Sequence, residues 1–157
     1  MSKHHFYGSV IKGWIFSWIK PMNTKTDAEV KKYKELADKH FQLYMLMTQW
    51  VKLKQEGKNL STPLVKKGIH HVAIYGMNYV GERLLTEFAD SAVTVDYAID
   101  RNADNLYCSV ELLKPEDPLP EVDAIIVTAI AYFADIEKSL SEKVSCPIFS
   151  IDDLMFQ

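Results

Sequence analysis

Residues 71–101 constrain the fold of this chain more than any other stretch. An apolar run, His71-Val72-Ala73-Ile74-Tyr75, leads into Gly76-Met77-Asn78-Tyr79-Val80-Gly81. A helical pattern follows, with Val80, Leu84, Leu85 and Phe88 on one face, and a second strand, Val93 to Ile99, ends in Asp100. Strand, glycine turn, helix, strand, acid is the order that opens a dinucleotide-binding βαβ unit. Gly76 permits a tight turn off the strand, and Gly81 lets helix and sheet pack closely. The helix N-terminus offers N–H groups and a positive dipole end to a phosphate. Asp100 lies about 24 residues beyond Gly76, near the distance at which an acid reaches a ribose hydroxyl. The expected fold is α/β: a small Rossmann-like parallel sheet flanked by helices, preceded by a long N-terminal helical region.

One position departs from the fingerprint. Glycine belongs where the backbone approaches the pyrophosphate, and Asn78 stands there. Asn tolerates left-handed backbone angles better than most residues, so the turn survives. Its side chain, however, fills space a phosphate would use. The plainer reading of the two glycines is a tight strand-to-helix turn. That of Asp100-Arg101-Asn102 is turn chemistry after a strand.

The rest of the C-terminal half extends the pattern. A short strand is expected near Ser109 to Leu112, too close to the second strand for a full helical crossover. Ala124-Ile125-Ile126-Val127 reads as a fully buried parallel strand. Thr128-Ala129-Ile130-Ala131 leads into a helix with Phe133, Ile136 and Leu140 inward. Pro147 to Ile151 is the last strand, followed by a short helical turn over Asp152 to Phe156. Ligands in such sheets bind beyond the carboxyl ends of the strands. The candidate crevice therefore collects Gly76, Met77, Asn78, Tyr79, Val80 and Gly81, with Asp100, Arg101, Thr128 and Ala129. Thr128 is a candidate to hydrogen-bond a ligand or, equally, to cap the following helix. Arg101 is a candidate phosphate contact or an exposed partner of Asp100.

Residues 1–60 form a separate N-terminal region, with the Rossmann-like domain over 61–157. Tyr7, Val10, Ile11, Trp14, Ile15, Trp18 and Ile19 share one face of a candidate amphipathic helix over residues 6–20. Its tryptophans and lysines suit a membrane surface or a protein contact. A long helix is expected from Thr26, where Thr26-Asp27-Ala28-Glu29 reads as a capping box, to about Gln55, with Gly57 as the stop. Val30, Tyr33, Ala37, His40, Tyr44, Met47 and Val51 repeat at alternating spacings of 3 and 4, a heptad-like seam. Leu36, Leu43, Leu46, Trp50 and Leu53 make a second stripe. A helix apolar on two sides needs two partners, so residues 26–56 are expected to dock on the domain and to form a homodimer. A short helix from Ser61 to about Lys67, closed by Gly68, joins the two regions.

Charge divides along the same line. Residues 1–70 carry 13 Lys against 5 acids, and residues 71–157 carry 5 Lys or Arg against 16 acids, which together give the net −3. The lysines are spread around helices without arginine or a stacking-aromatic motif, so nucleic acid is not an expected partner. The two cysteines, Cys108 and Cys146, lack metal or redox spacing and read as reduced, buried thiols. The five histidines make no HxxxH pair, and no metal site is expected. No secretory signal is evident. The expected location is cytoplasmic, with the membrane surface as an alternative for residues 6–20.

Catalytic equipment is thin: no Tyr has a Lys four residues on, there is no G-x-S-x-G elbow, and no second domain is evident to hold a substrate. These features favour an accessory module over a self-sufficient enzyme. Ile74-Tyr75-Gly76-Met77, Gly81, Leu84-Leu85, Ala98-Ile99-Asp100-Arg101-Asn102 and Val122-Asp123-Ala124-Ile125-Ile126-Val127-Thr128 together resemble two groups. One is the small Rossmann-like proteins of bacterial surface-polysaccharide synthesis, related to nucleotide-sugar-handling domains. The other is the C-terminal Rossmann-like domain of sugar C-methyltransferases. The resemblance covers roughly residues 68–154. It implies a module binding NAD(P) or a nucleotide-sugar in glycan biosynthesis. The open alternatives are a non-catalytic interaction protein and an epimerase or reductase subunit completed by a partner.

Overall fold

The structure, a computed structural model, describes residues 24–156; the amphipathic helix expected over residues 6–20 lies outside them. The chain divides into two compact units, with the boundary between Phe41 and Gln42. That boundary falls within the long helix α1, Thr24–Gln55. Residues 24–41 are the described part of the first unit. In the second, Leu46, Trp50 and Leu53 of α1 are buried in the same core as the sheet.

No Pro or Gly interrupts residues 24–55, and the helix already includes Thr24. Thr26, the expected start, therefore lies inside the described helix. The stop is as predicted. Gly57 takes φ +70, and Lys58 and Gly57 donate N–H bonds back to Leu53 and Lys54, the pattern that satisfies a helix's last carbonyls. A second short helix, α2, spans Ser61–Lys66.

Beyond it the chain alternates strand and helix. β1 is His71–Tyr75, α3 Tyr79–Phe88 and β2 Thr94–Ile99. A single 3-10 turn, Ala103–Asn105, precedes β3 at Glu111–Leu113. β4 is Ala124–Val127, and a 3-10 turn at Ile130–Tyr132 leads into α4, Phe133–Ser141. β5 is Ile148–Ser150, followed directly by α5, Ile151–Met155.

The five strands form one parallel sheet in the order β3-β2-β1-β4-β5, the Rossmann order. Several boundaries differ from expectation by a residue or two: β2 starts at Thr94 rather than Val93, and β5 at Ile148 rather than Pro147. β3 begins two residues late, because Leu106, Cys108 and Val110 pack into the core before pairing starts at Tyr97–Glu111. Ile151 belongs to α5 rather than β5. Ser150 ends the strand and caps the helix, its hydroxyl accepting from Asp152 N–H while Asp153 accepts from Ser150 N–H.

The sheet buries both faces, as parallel sheets do. Val72, Ile74, Ala98 and Ile126 face α1, α2, α3 and α5. Ala73, Tyr75, Tyr97, Ile99, Ile125 and Val127 face α4, with Leu119 and Val122 of the loop before β4. One carboxylate ties the first layer together. Glu87 of α3, its side chain 7 % exposed, accepts bonds from the Trp50 indole, Lys54 and the Leu60 N–H. Cys108 and Cys146 are half-buried free thiols rather than fully buried ones.

Candidate functional site

Register brings the predicted residues together. Tyr75 pairs with Ile99 on one side and Val127 on the other. The residues that follow, Gly76, Asp100 and Thr128, therefore leave the sheet at one level, at its carboxyl edge. This is the switch point, where the chain leaves β1 toward β2 in one direction and β4 lies on the other side.

The turn off β1 is built on both glycines. Gly76 takes φ +96, a conformation L side chains rarely adopt, and a Cβ there would lie 2.8 Å from Thr128 Oγ1. A Cβ on Gly81 would lie 2.2 Å from the Gly76 carbonyl oxygen, so this position sets how closely α3 approaches β1.

The polar groups around the turn bind the turn itself. Asn78 Oδ1 accepts from Val80 N–H at 2.9 Å and Gly81 N–H at 3.4 Å. Asn78 has φ −83 and ψ −169. It is therefore extended, not in the left-handed region anticipated for it, and it serves as the N-cap of α3. Its amide oxygen sits on the N–H groups that a phosphate oxygen would take at an open helix N-terminus. Asp100 is used in a similar way. One oxygen accepts from Met77 N–H at 2.8 Å and the other from Asn102 N–H at 2.9 Å.

Thr128 is buried, and its hydroxyl donates to the Gly76 carbonyl at 2.6 Å, with the Tyr75 carbonyl 3.2 Å away. It thus braces the end of β1. It does not cap the next helix, whose side-chain cap is lacking. Ala129 packs beside it, with Cβ 3.6 Å from a Cβ built on Gly76. Met77 and Val80 are buried core residues. Tyr79 is exposed. Arg101 is exposed and, among the described residues, pairs neither with Asp100 nor with another acid.

The predicted residues therefore all come from the same edge of the sheet, but all except Tyr79 and Arg101 serve the turn or the core. What remains open toward solvent is the N–H groups of Asn78 and Tyr79, which make no bond among the described residues, the Tyr79 ring and Arg101. No group of three or more His, Cys, Asp or Glu among the described residues is arranged to hold a metal ion. No helix among them is long and apolar enough to cross a membrane.

A second polar cluster occupies the opposite, amino edge. Asp123 accepts the N–H groups of both His70 and His71, at 2.8 Å each, and these bonds hold its carboxyl below the ordinary range. Asp96 lies at the register shift between β1 and β2 and bonds His71 Nδ1 at 3.1 Å, which raises the imidazole. Burial pushes the Tyr97 phenol up to about 12, and its hydroxyl donates to the Pro120 carbonyl.

Sequence reasoning missed Glu87. A signal existed: Glu87 lies three residues after Leu84, on the apolar face of α3, where a carboxylate needs donors. Those donors come from α1 and from the residue before α2. An open groove of about 800 Å³ lies beside this clamp, lined by Met47, Trp50, Val51, Arg83, Glu87 and Asp90 among others. No family model, curated protein or solved structure matches the chain.

Proposed function

We propose that this chain is an accessory module of bacterial surface-polysaccharide synthesis that keeps the Rossmann architecture without catalysing a reaction on its own. In this reading its nucleotide crevice is closed by its own side chains, and its work is interaction. One observation carries the reading: the Asn78 carboxamide holds the Val80 and Gly81 N–H groups, the donors a pyrophosphate needs at this helix end. Asp100, the acid placed to hold a ribose, is bound on both oxygens by backbone N–H groups. The glycan setting rests on the resemblance of residues 68–154 to the small Rossmann-like proteins of that biosynthesis.

A second reading is a module that binds NAD(P) or a nucleotide-sugar. It is favoured by the unpaired N–H groups of Asn78 and Tyr79 at the mouth of the turn, and by the Gly76 and Gly81 geometry. Rotation of the Asn78 side chain would release two more donors to a phosphate.

Isothermal titration of NAD, NADP and a UDP-sugar at millimolar concentration separates the two. The closed crevice predicts no binding heat for the wild type. A dissociation constant below about 1 mM for any of the three would overturn it and establish the second reading.

A further inference from the structure

α1 carries an apolar seam that, Met47 apart, no core cluster of the described residues uses. Tyr33, Phe41 and Tyr44 are 67 %, 63 % and 64 % exposed, and Val30, Leu36 and Val51 are also exposed. The inner stripe has a different fate: Leu46, Trp50 and Leu53 are buried, and Leu43 packs against them.

In the sequence of α1, Val30, Tyr33, Ala37, His40, Tyr44, Met47 and Val51 fall on the a and d positions of three heptads. The flanking positions discriminate between possible partners. When two copies pair in parallel and in register, each g residue meets the e residue five positions on in its mate. Glu29 then meets Lys34, a residue of opposite charge. Leu36 meets Phe41, two exposed apolar side chains. The next g residues, Leu43 and Trp50, are already spent inside their own unit, and the e residues they would meet, Thr48 and Gln55, are polar. Apolar side chains thus occupy e only where an apolar g residue is free to receive them. Antiparallel pairing sets g against g and e against e, and loses the Glu29–Lys34 match.

We propose that a second copy of this chain covers the seam, giving a parallel, in-register homodimer of α1 about a two-fold axis. The fit of the e and g positions points to the same sequence as partner, rather than to a generic apolar surface. The inference concerns the outer face of α1 and stands independently of what the crevice binds.

Sedimentation equilibrium of the full chain at about 20 µM should report twice the 18.0 kDa chain mass. The double variant Tyr33→Glu/Tyr44→Glu should sediment as a monomer with unchanged helical circular dichroism. Val30→Cys should form a disulfide-linked dimer under mild oxidation, in a band absent from the parent chain. An antiparallel pair would set Val30 of one copy opposite the other end of the seam in its mate and leave the introduced thiols unjoined. Glu29→Lys alone should weaken the dimer roughly two- to fivefold, and adding Lys34→Glu should restore it. A monomeric wild type, or a dimer indifferent to the two Tyr substitutions, would overturn the proposal. A dimer in which Val30→Cys fails to cross-link, or in which the charge swap gives no rescue, would overturn the parallel register.

Discussion

The carboxyl edge of the sheet and the outer face of α1 invert what a chain of this pattern leads one to expect. At the sheet edge, where polar groups usually wait for a ligand, Asn78, Asp100 and Thr128 are engaged with the backbone beside them. On α1, where solvent calls for polar side chains, Tyr33, Phe41 and Tyr44 are exposed. A polar group costs free energy when it lacks a partner, and an exposed apolar patch of this extent is uncommon on a monomer. The first region has resolved its demand internally; among the described residues, the second has not.

The sharpest way to break this contrast is at Gly81. Gly81→Val places a side chain against the Gly76 carbonyl, where even a Cβ would lie at 2.2 Å. It should cost about 3 kcal/mol or more in urea unfolding. A loss under about 1 kcal/mol would mean that α3 can slide away from β1, so that the turn is an adaptable site rather than a fixed joint. Next in size is Glu87→Ala, which strips an acceptor from the Trp50 indole, Lys54 and the Leu60 N–H. About 2 kcal/mol should be lost, with Trp50 fluorescence shifting to the red. If Glu87→Gln cost as much, the charge rather than the acceptor geometry would be holding α1.

Asn78→Gly sharpens the comparison with little effect on stability, about a few tenths of a kcal/mol, because Gly is a tolerable N-cap. Its effect belongs to binding: the freed Val80 and Gly81 N–H groups should let the variant take up NAD where the wild type does not. If the wild type binds NAD and the variant loses it, Asn78 is itself a ligand contact and the crevice is open.

The smallest effect lies at the amino edge. Asp96 raises His71 above its ordinary 6.5, so the stability from this pair is fully present below pH 6.5 and fades as pH climbs through the raised value. Asp123 is held below its ordinary 3.8 by the His70 and His71 N–H groups. Its contribution is present above 3.8 and fades as pH falls through the lowered value. Melting curves of the wild type and His71→Gln should therefore differ more at about pH 5 than at about pH 9. Equal offsets at the two pH values would mean that the pair is electrostatically silent.

Much of the fold was legible because its signals are local. The β1 turn and β4 announce themselves by glycine placement and by unbroken apolar runs, and Gly57 marks the end of α1. The site was legible as a place but not as a chemistry. A fingerprint compares Asn78 with the glycine it replaces, whereas the competing rule, that Asn followed by a helix is a strong N-cap, describes what it does. Thr128 was unreadable for a different reason. Its partners lie 52 and 53 residues away, and only the register of β1 against β4 brings them together. The start of β3 was misjudged because nothing in those few residues forbids the earlier boundary.

Two three-residue strands, β3 and β5, form the borders of the sheet. A border this short offers an incoming strand only three residues of backbone, and at β5 the chain turns into α5 with no intervening residue. Growth of the sheet by lateral addition, the usual hazard of an unclosed edge, therefore has little to template on at either margin. A border this brief is one of the ways a sheet is kept from pairing with its own kind.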